Sequence, residues 1–337
     1  TRRSSDLPIV QWVNTLLFFY YLACNLIYLR LLVAAIKASV NQNRRKKSAW
    51  LDRVRRSPLT PPISLLVPAH NEERSIVELV RSLLGLDYPD FEVIVTNDGS
   101  KDSTLDKLIQ HFQLSRSDYL YLPQIETKTV RGVYLSRTKR RLIVLDKEAG
   151  GSKSDAINAA LNLASKPYVC VVDADSLLES DGLLRIMAPV GNDPDRVVAA
   201  GGIVRVINGS CAKNGSVRDV RLPWGFLEMM QVEEYLRAFL IGREGWNAFN
   251  MLLIISGAFG VFRTDLCKQL GGFRRGAIGE DLDLVVRMHR HLREQNQKYR
   301  VHFVADPVCW TEVPSTFKSL GNQRARWHKR VSRMPLA

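Results

Sequence analysis

The sequence predicts an α/β fold: a mostly parallel sheet flanked by helices, preceded by one N-terminal transmembrane helix and accompanied by amphipathic interfacial helices. Three observations carry this prediction. Short apolar runs alternate with amphipathic helical stretches, an uncharged stretch precedes them, and carboxylates gather just past the ends of the apolar runs. The 337 residues are enough to bury a sizeable core, and 46% hydrophobic against 24% charged residues excludes a disordered or collagen-like chain. Lys+Arg 48 against Asp+Glu 34 gives a net charge of +14, a surface suited to phosphates, anionic lipid or nucleic acid. Five cysteines (Cys24, Cys170, Cys211, Cys267, Cys309) are widely spaced without a CxxC pair, so neither a disulfide framework nor a zinc site is signalled. A reducing, cytosolic environment is expected for the bulk of the chain.

From Ile9 to Leu29 the chain carries 21 residues without a charge, including the block Leu16 to Leu22. At about 1.5 Å per residue this spans roughly 31 Å, a bilayer core. Gln11, Asn14, Thr15 and Asn25 dilute the run, as they would in a buried core helix. The length favours a membrane span over a signal peptide, because the apolar stretch continues through Arg30 to Ile36. Lys37, Arg44, Arg45, Lys46, Lys47, Arg53, Arg55 and Arg56 follow it, against Arg2 and Arg3 before it. The positive-inside rule then puts the remainder in the cytoplasm, with the basic run against anionic headgroups of the plasma (inner) membrane.

After the proline-rich boundary at 57–62, Ile63 to Val67 predicts a buried strand. Asn71 is expected to cap a helix in which Ile76, Leu79, Val80, Leu83 and Leu84 recur at helical spacing until Gly85. The cycle repeats: a strand over Phe91 to Thr96, a helix over Asp102 to Phe112, a strand over Arg141 to Leu145, a helix over Lys153 to Ala164 and a strand over Tyr168 to Val172. Between Leu114 and Arg140 the pattern weakens, and Lys128, Arg131, Arg137, Lys139 and Arg140 predict a solvated loop. Trp224 to Ile241 carries Met229, Val232, Leu236, Phe239 and Leu240 in a helical stripe, expected to pack on the sheet, with the membrane interface as the alternative.

Chemistry is concentrated where such sheets hold ligands, beyond the carboxyl ends of strands at the point where strand order reverses. Asp173 and Asp175, at i and i+2 after the strand ending at Val172, offer hard oxygen ligands suited to Mg²⁺ or Mn²⁺, completed by substrate phosphates. Asn97, Asp98, Gly99 and Ser100 follow another strand. Gly150, Gly151, Ser152 and Lys153 open a helix whose N-terminus and lysine attract phosphate. Neither GxxxxGK[ST] nor GxGxxG occurs, so nucleoside triphosphate hydrolysis and dinucleotide redox chemistry lack their usual signatures. Glu280 and Asp281 open another apolar-periodic helix, as dipole partners or as a general base. Gln323, Arg324, Arg326 and Trp327 combine phosphate donors with a flat face for a sugar.

In order, PAHNEE at Pro68 to Glu73, NDGS at Asn97 to Ser100, GGSKSDAIN at Gly150 to Asn158, DADS at Asp173 to Ser176, SGAFG at Ser256 to Gly260, GEDLD at Gly279 to Asp283 and QRARW at Gln323 to Trp327 resemble the membrane-bound family 2 glycosyltransferases. That group includes the cellulose, chitin, hyaluronan and poly-N-acetylglucosamine synthases. The resemblance implies a GT-A fold over 58–310, an N-terminal membrane segment over 1–43, and an interface helix over 311–337 that carries QxxRW. It also implies further transmembrane helices after this segment, with room for an accessory membrane subunit.

The implied roles fall on residues of this sequence. Asp98 with Ala69, His70 and Glu72 would hold the uracil and ribose, and Lys153 the uridine or phosphates. Asp173 and Asp175 would bind the donor and its divalent cation, Asp175 more directly. Asp281 would be the catalytic base beside Glu280. Gln323 and Arg326 would bind the diphosphate, and Trp327 would support the acceptor sugar. Ser256, Gly257, Ala258 and Phe259 would line the acceptor site. Asn97, where the family commonly has an acid, predicts a modest retuning of nucleotide contacts. The implied reaction is inverting transfer from a UDP-sugar to a β-linked glycan, with a lipid acceptor as the alternative. A nucleic-acid partner is not expected, because it leaves the arranged acids without a reason.

Overall fold

The computed structural model describes residues 6–45, 48–213, 216–277 and 279–331. The N-terminal part is helical, as α1 (Asp6–Arg45) and α2 (Ser48–Arg56). The first half of the body runs β1 (Ile63–Ala69), α3 (Ile76–Leu84), β2 (Phe91–Asp98), α4 (Thr104–Phe112), β3 (Leu114–Ser117), β4 (Val130–Ser136), β5 (Leu142–Lys147), α5 (Lys153–Leu163) and β6 (Tyr168–Val172). The second half runs β7 (Ser176–Leu178), α6 (Gly182–Asn192), β8 (Val197–Val206), β9 (Cys211–Lys213), β10 (Ser216–Asp219), α7 (Phe226–Leu236), a π-turn (Arg237–Arg243) and α8 (Glu244–Ala248). It closes with β11 (Phe259–Arg263), α9 (Thr264–Gln269), α10 (Glu280–Glu294), β12 (Arg300–Thr311) and α11 (Phe317–Val331).

One ten-stranded sheet, in the order β3-β4-β5-β2-β1-β6-β11-β8-β12-β7, organises the body. The near-continuous apolar runs of β1, β2, β5 and β6 occupy its middle and are buried, because helices cover both faces of a parallel sheet. β1 pairs in parallel with β2 and β6, so the chain steps outward from β1 to β2 and β5, then returns across β1 to β6. Strand order therefore reverses between β1 and β6. The register sets Leu66 opposite Val171, which brings the residues after β1 and β6 out at one level. β11 runs antiparallel to β6 with Phe259 opposite Val172, delivering the segment before Phe259 to the same edge.

Several expectations need correction. Asn71 does not cap α3: it sits at φ 57°, and the helix starts at Ile76 after a turn whose Ser75 and Ile76 amides donate to the Glu72 carbonyl. The predicted loop over Leu114 to Arg140 contains the antiparallel pair β3 and β4, which joins β5 at the sheet edge. Its strand faces are mixed in burial, as befits an edge, and a periodicity signal fades there. The stripe over Trp224 to Ile241 does not pack wholly on the sheet. Phe239 is buried, whereas Met229, Leu236 and Leu240 are exposed, because the π-turn at Arg237 changes the helical phase between them. Trp224, Phe226 and Met230 are exposed beside them.

Within α1, Val10–Lys37 is long and apolar enough to cross a membrane. Trp12, Leu16, Phe18, Phe19 and Tyr28 are exposed, while Leu31 and Ala35 are buried near the body. There α8 crosses α1 closely: a Cβ on Gly245 would lie 3.0 Å from that of Leu31.

Candidate active site

The carboxyl ends of β1, β2 and β6 and the start of α5 enclose a cleft of about 460 Å³. Its lining includes Ala69, His70, Glu72, Asp98, Lys153, Asp173 and Asp175. A depression of about 730 Å³ at the opposite sheet edge, lined by Lys166, Asp265 and Lys268 among others, holds no comparable carboxylate array. In the cleft, Asp98 accepts from the Gly150 amide at 2.9 Å and from Lys147 Nζ at 2.5 Å. Lys147 is fully buried, reaches Asp155 Oδ2 at 2.5 Å and donates to the Glu148 carbonyl at 2.6 Å. Asp155, also fully buried, pairs in addition with Arg275. Two carboxylates and two cations thus form one closed network, which buried charge requires. Gly99 allows the NDGS turn to meet the next loop: it sits at φ +61°, and a Cβ there would lie 2.6 Å from the Ala149 amide nitrogen.

His70 has a defined tautomer. The Asn71 side-chain Nδ2 is 3.1 Å from Nε2 and can only donate, so Nε2 accepts and Nδ1–H donates to the Asp98 carbonyl at 2.8 Å. Asn97 donates to Asp146 Oδ1 at 2.8 Å, so it ties β2 to β5 and does not line the cleft.

A second group of charges lies across Lys153. Its ammonium pairs with Asp173, lies 3.4 Å from Glu280 Oε1 and donates to the Gly257 carbonyl at 2.9 Å. The backbone before β11 is fixed to the same place, where the Asp173 amide donates to the Ala258 carbonyl at 3.3 Å. At Gly257 a Cβ would stand 3.5 Å from both Asp281 Oδ2 and Glu280 Oε1, so this bend abuts both acids. Asp281 is in the first turn of α10, and its Oδ1 accepts from the Leu282 amide at 2.9 Å.

Burial works against the Lys153 ammonium, but Asp173, Glu280 and Asp281 outweigh it and hold its pKa above the ordinary lysine value. Burial raises Asp173, aided by Asp175 and Glu280 and opposed by Lys153. Asp281 is pushed up to about 6, by burial first and then by Glu280. A carboxyl there changes charge near neutrality, where a general base is most effective.

Among the described residues, no group of three or more His, Cys, Asp and Glu is arranged to hold a metal ion. Asp173 is committed to Lys153, whereas Asp175 has no ion-pair partner among the described residues. Partial burial and the carboxylates of Glu72 and Glu312 hold Asp175 above its ordinary pKa. One free carboxylate in a negative surrounding fits a hard divalent cation that takes its other ligands from phosphate oxygens and water.

The fold thus brings Ala69, His70, Glu72, Asp98, Lys153, Asp173 and Asp175 to one cleft, with Gly257, Glu280 and Asp281 across Lys153. Ser256 and Ala258 are half-buried beside them, but Phe259 is fully buried in the core, so it supports this segment from behind. Gln323 is half-buried on α11 and does not line the cleft. Arg326 and Trp327 have helical backbone, but their side chains lie outside the described residues. Lys147 and Asp155, which fix Asp98, were not singled out by the motif reading, although both lie within or beside GGSKSDAIN.

Comparison with known proteins agrees with this geometry. A family model described as glycosyltransferase like family 2 matches residues 61–329. The chain belongs to glycosyltransferase family 2. It is 28% identical over 269 residues to the probable glycosyltransferase YdaM of Bacillus subtilis, covering 79% of this chain and 54% of YdaM. It is 26% identical over 267 residues to a poly-beta-1,6-N-acetyl-D-glucosamine synthase of Staphylococcus epidermidis, covering 79% and 53%. The chain thus spans about half the length of these curated relatives. Among solved structures, a mannosyltransferase of Pyrobaculum calidifontis in complex with GDP-Man and Mn2+ superposes with a TM-score of 0.54 at 21% identity, covering 90% of this chain and 72% of that one. This glycosyltransferase therefore has the GT-A fold behind an N-terminal apolar helix.

Proposed function

We propose that this family 2 glycosyltransferase moves a sugar, with inversion, from a UDP-sugar to the growing end of a β-linked polysaccharide at the cytoplasmic face of the membrane. The observation that carries the reading is Asp281: a carboxylate near neutrality in its titration, abutting Gly257, and separated from the donor cleft by Lys153. Asp281 takes the proton of an acceptor hydroxyl as that oxygen bonds to the anomeric carbon, whose bond to the departing diphosphate oxygen breaks. No protein nucleophile is needed. Asp98, Ala69, His70 and Glu72 hold the nucleoside, and Lys153 orients Asp173 and Glu280 while offering positive charge to the diphosphate. Asp175, with Asp173 behind it, would hold Mg²⁺ or Mn²⁺, which when bound offsets the charge of the diphosphate.

Charge asymmetry around α1 supports a cytoplasmic body, with Lys37, Arg44, Arg45, Lys46 and Lys47 after the span and Arg2 and Arg3 before it. A lipid acceptor is the second reading. It is favoured by the exposed Trp224, Phe226, Met230, Phe249 and Leu253, which would set an acceptor site beside lipid.

The test is UDP release by the detergent-solubilised protein over a panel of UDP-sugars, UDP-N-acetylglucosamine and UDP-glucose first, with Mg²⁺, Mn²⁺ or EDTA. Metal-dependent release with one donor, lost in Asp281→Asn while UDP binding persists, is expected. Retained turnover in that variant removes Asp281 from the base role. A product ladder identifies a polymerase, and a single addition to lipid identifies the alternative.

A further inference from the structure

One half-buried cation beside Asp281 keeps a guanidinium nitrogen without a hydrogen-bond partner among the described residues. α7 loosens into the π-turn Arg237–Arg243, a distortion that recurs at functional positions. The turn buries Phe239, whose ring lies 6.2 Å from that of Phe303 and 6.0 Å from that of Tyr235. Arg243 ends the turn and lays its guanidinium over Phe239, with Cζ 3.8 Å from the ring centroid. Its Nη1 is buried without a hydrogen-bond partner, and no carboxylate lies within ion-pair distance of it among the described residues. Burying a guanidinium N–H this way costs stability unless something else uses it.

The groups whose charge acts on Arg243 are Asp281 of α10, short of an ion pair, and Tyr235 of α7. Its chain neighbour Glu244 is directed to Asn247. Asp281 in turn faces Glu280 on its own helix, Lys153 of α5 and Arg243 of the turn. Lys153 is already divided among Asp173, Glu280 and the Gly257 carbonyl. Arg243 is therefore the cation near Asp281 that, among the described residues, no other carboxylate claims.

We propose that Arg243 is a positioning residue for the base: held on Phe239, its guanidinium supplies the counter-charge of Asp281 and keeps that carboxylate ready for the acceptor hydroxyl. The inference rests on the reading of Asp281 as base. Removing the charge must make Asp281 harder to ionise, whereas loss of a purely structural side chain lowers turnover at every pH alike.

The experiment measures kcat and KM from pH 5 to 8 for the full chain and for Arg243→Gln, Arg243→Lys and Asp281→Asn. The acidic limb of kcat is expected to move upward by roughly 0.5–1 pH unit in Arg243→Gln, less than the one to three units of a direct ion pair. At pH 6 this is a loss of about two- to fivefold that narrows by pH 8, and Arg243→Lys keeps the limb near its original position. A limb unmoved in Arg243→Gln overturns the proposal, whether kcat falls uniformly or only the acceptor KM rises. Turnover retained by Asp281→Asn removes instead the reading on which the proposal stands. If Arg243→Gln does not fold, Phe239→Leu decides, because it keeps the charge and removes its platform. A smaller upward movement supports the inference, and an unmoved limb overturns it.

Discussion

The two halves of the cleft differ in how their charges are settled. On the side proposed for the donor the charged groups that shape the pocket are paired, Asp175 excepted: Asp98 and Asp155 share Lys147, Arg275 completes Asp155, and Lys153 joins Asp173 to Glu280. These groups stand on strand ends and on α5, elements fixed by the sheet register. On the acceptor side Asp281 keeps one backbone hydrogen bond, Arg243 keeps an unpartnered Nη1, and apolar side chains from Trp224 to Leu253 stand exposed. A satisfied buried network is rigid, whereas unsatisfied polar groups mark where a ligand completes the structure. The half proposed to hold the donor is thus preformed, and the half proposed to take the acceptor is held incomplete around Asp281.

Lys153 belongs to both halves, so its removal gives the largest expected effect. Lys153→Met leaves Asp173 and Glu280 facing each other without a shared cation. A loss of roughly 100-fold or more in kcat/KM is expected, on the scale of removing one preorganised donor. UDP affinity measured by calorimetry should fall with it. Unchanged UDP affinity would show that the lysine serves the acceptor half alone.

The titration of Asp281 separates activity from stability. In its proposed role as base it must be ionised, so kcat should rise with pH through an acidic limb near pH 6. The raised folded-state pKa means the folded protein holds this proton more tightly than the unfolded chain does. Its stabilising share is present below about pH 4 and is lost as pH rises through about 6. Asp281→Asn should therefore melt a few degrees higher than the unaltered chain at pH 8, with the difference vanishing at low pH. Thermal melts at pH 4 and pH 8 check the sign.

Two glycines test the contrast by volume alone. A Cβ at Gly150 would lie 2.2 Å from Asp155 Oδ2, inside the closed donor network. Gly150→Ala is expected to cost about 1–3 kcal/mol of stability and to weaken UDP binding. At Gly257 the same Cβ meets its nearest carboxylate oxygens at 3.5 Å, an ordinary contact. Gly257→Ala should fold and bind UDP normally while turnover falls by less than about tenfold. Equal melting temperatures for the two variants would erase the distinction between a packed half and an open one.

The contrast also explains what could be read from the sequence. The strand Tyr168–Val172 and the carboxylates after it were legible, because a fully buried parallel strand shows an unbroken apolar run and its end marks the ligand edge. Lys147 was not, since a lysine inside a strand looks like any solvated lysine until two distant carboxylates are folded onto it. Asn71 misled for the opposite reason: a residue type favoured at caps equally favours the left-handed turn that it adopts. Arg243 was hidden by the π-turn, because a stripe counted at regular helical spacing loses phase where the helix widens.

The smallest expected effect comes from outside the cleft, where α1 meets α8. Gly245 follows the π-turn by two residues, and its missing Cβ would stand 3.0 Å from both the Cβ and the carbonyl oxygen of Leu31. Alanine favours helix over glycine, so Gly245→Ala taken alone should strengthen α8. Any loss of turnover must then come from pressing α1 away or tilting the segment that carries Arg243. A two- to fivefold fall in kcat with unchanged UDP affinity is expected, on the scale of a displacement well below the ångström that costs about 100-fold. Leu31→Gly in the same chain removes the Cβ, one of the two contacts, and should restore part of the loss. The coupling in that double-mutant cycle measures how far the apolar helix sets the geometry of the base, and strict additivity would confine its role to anchorage.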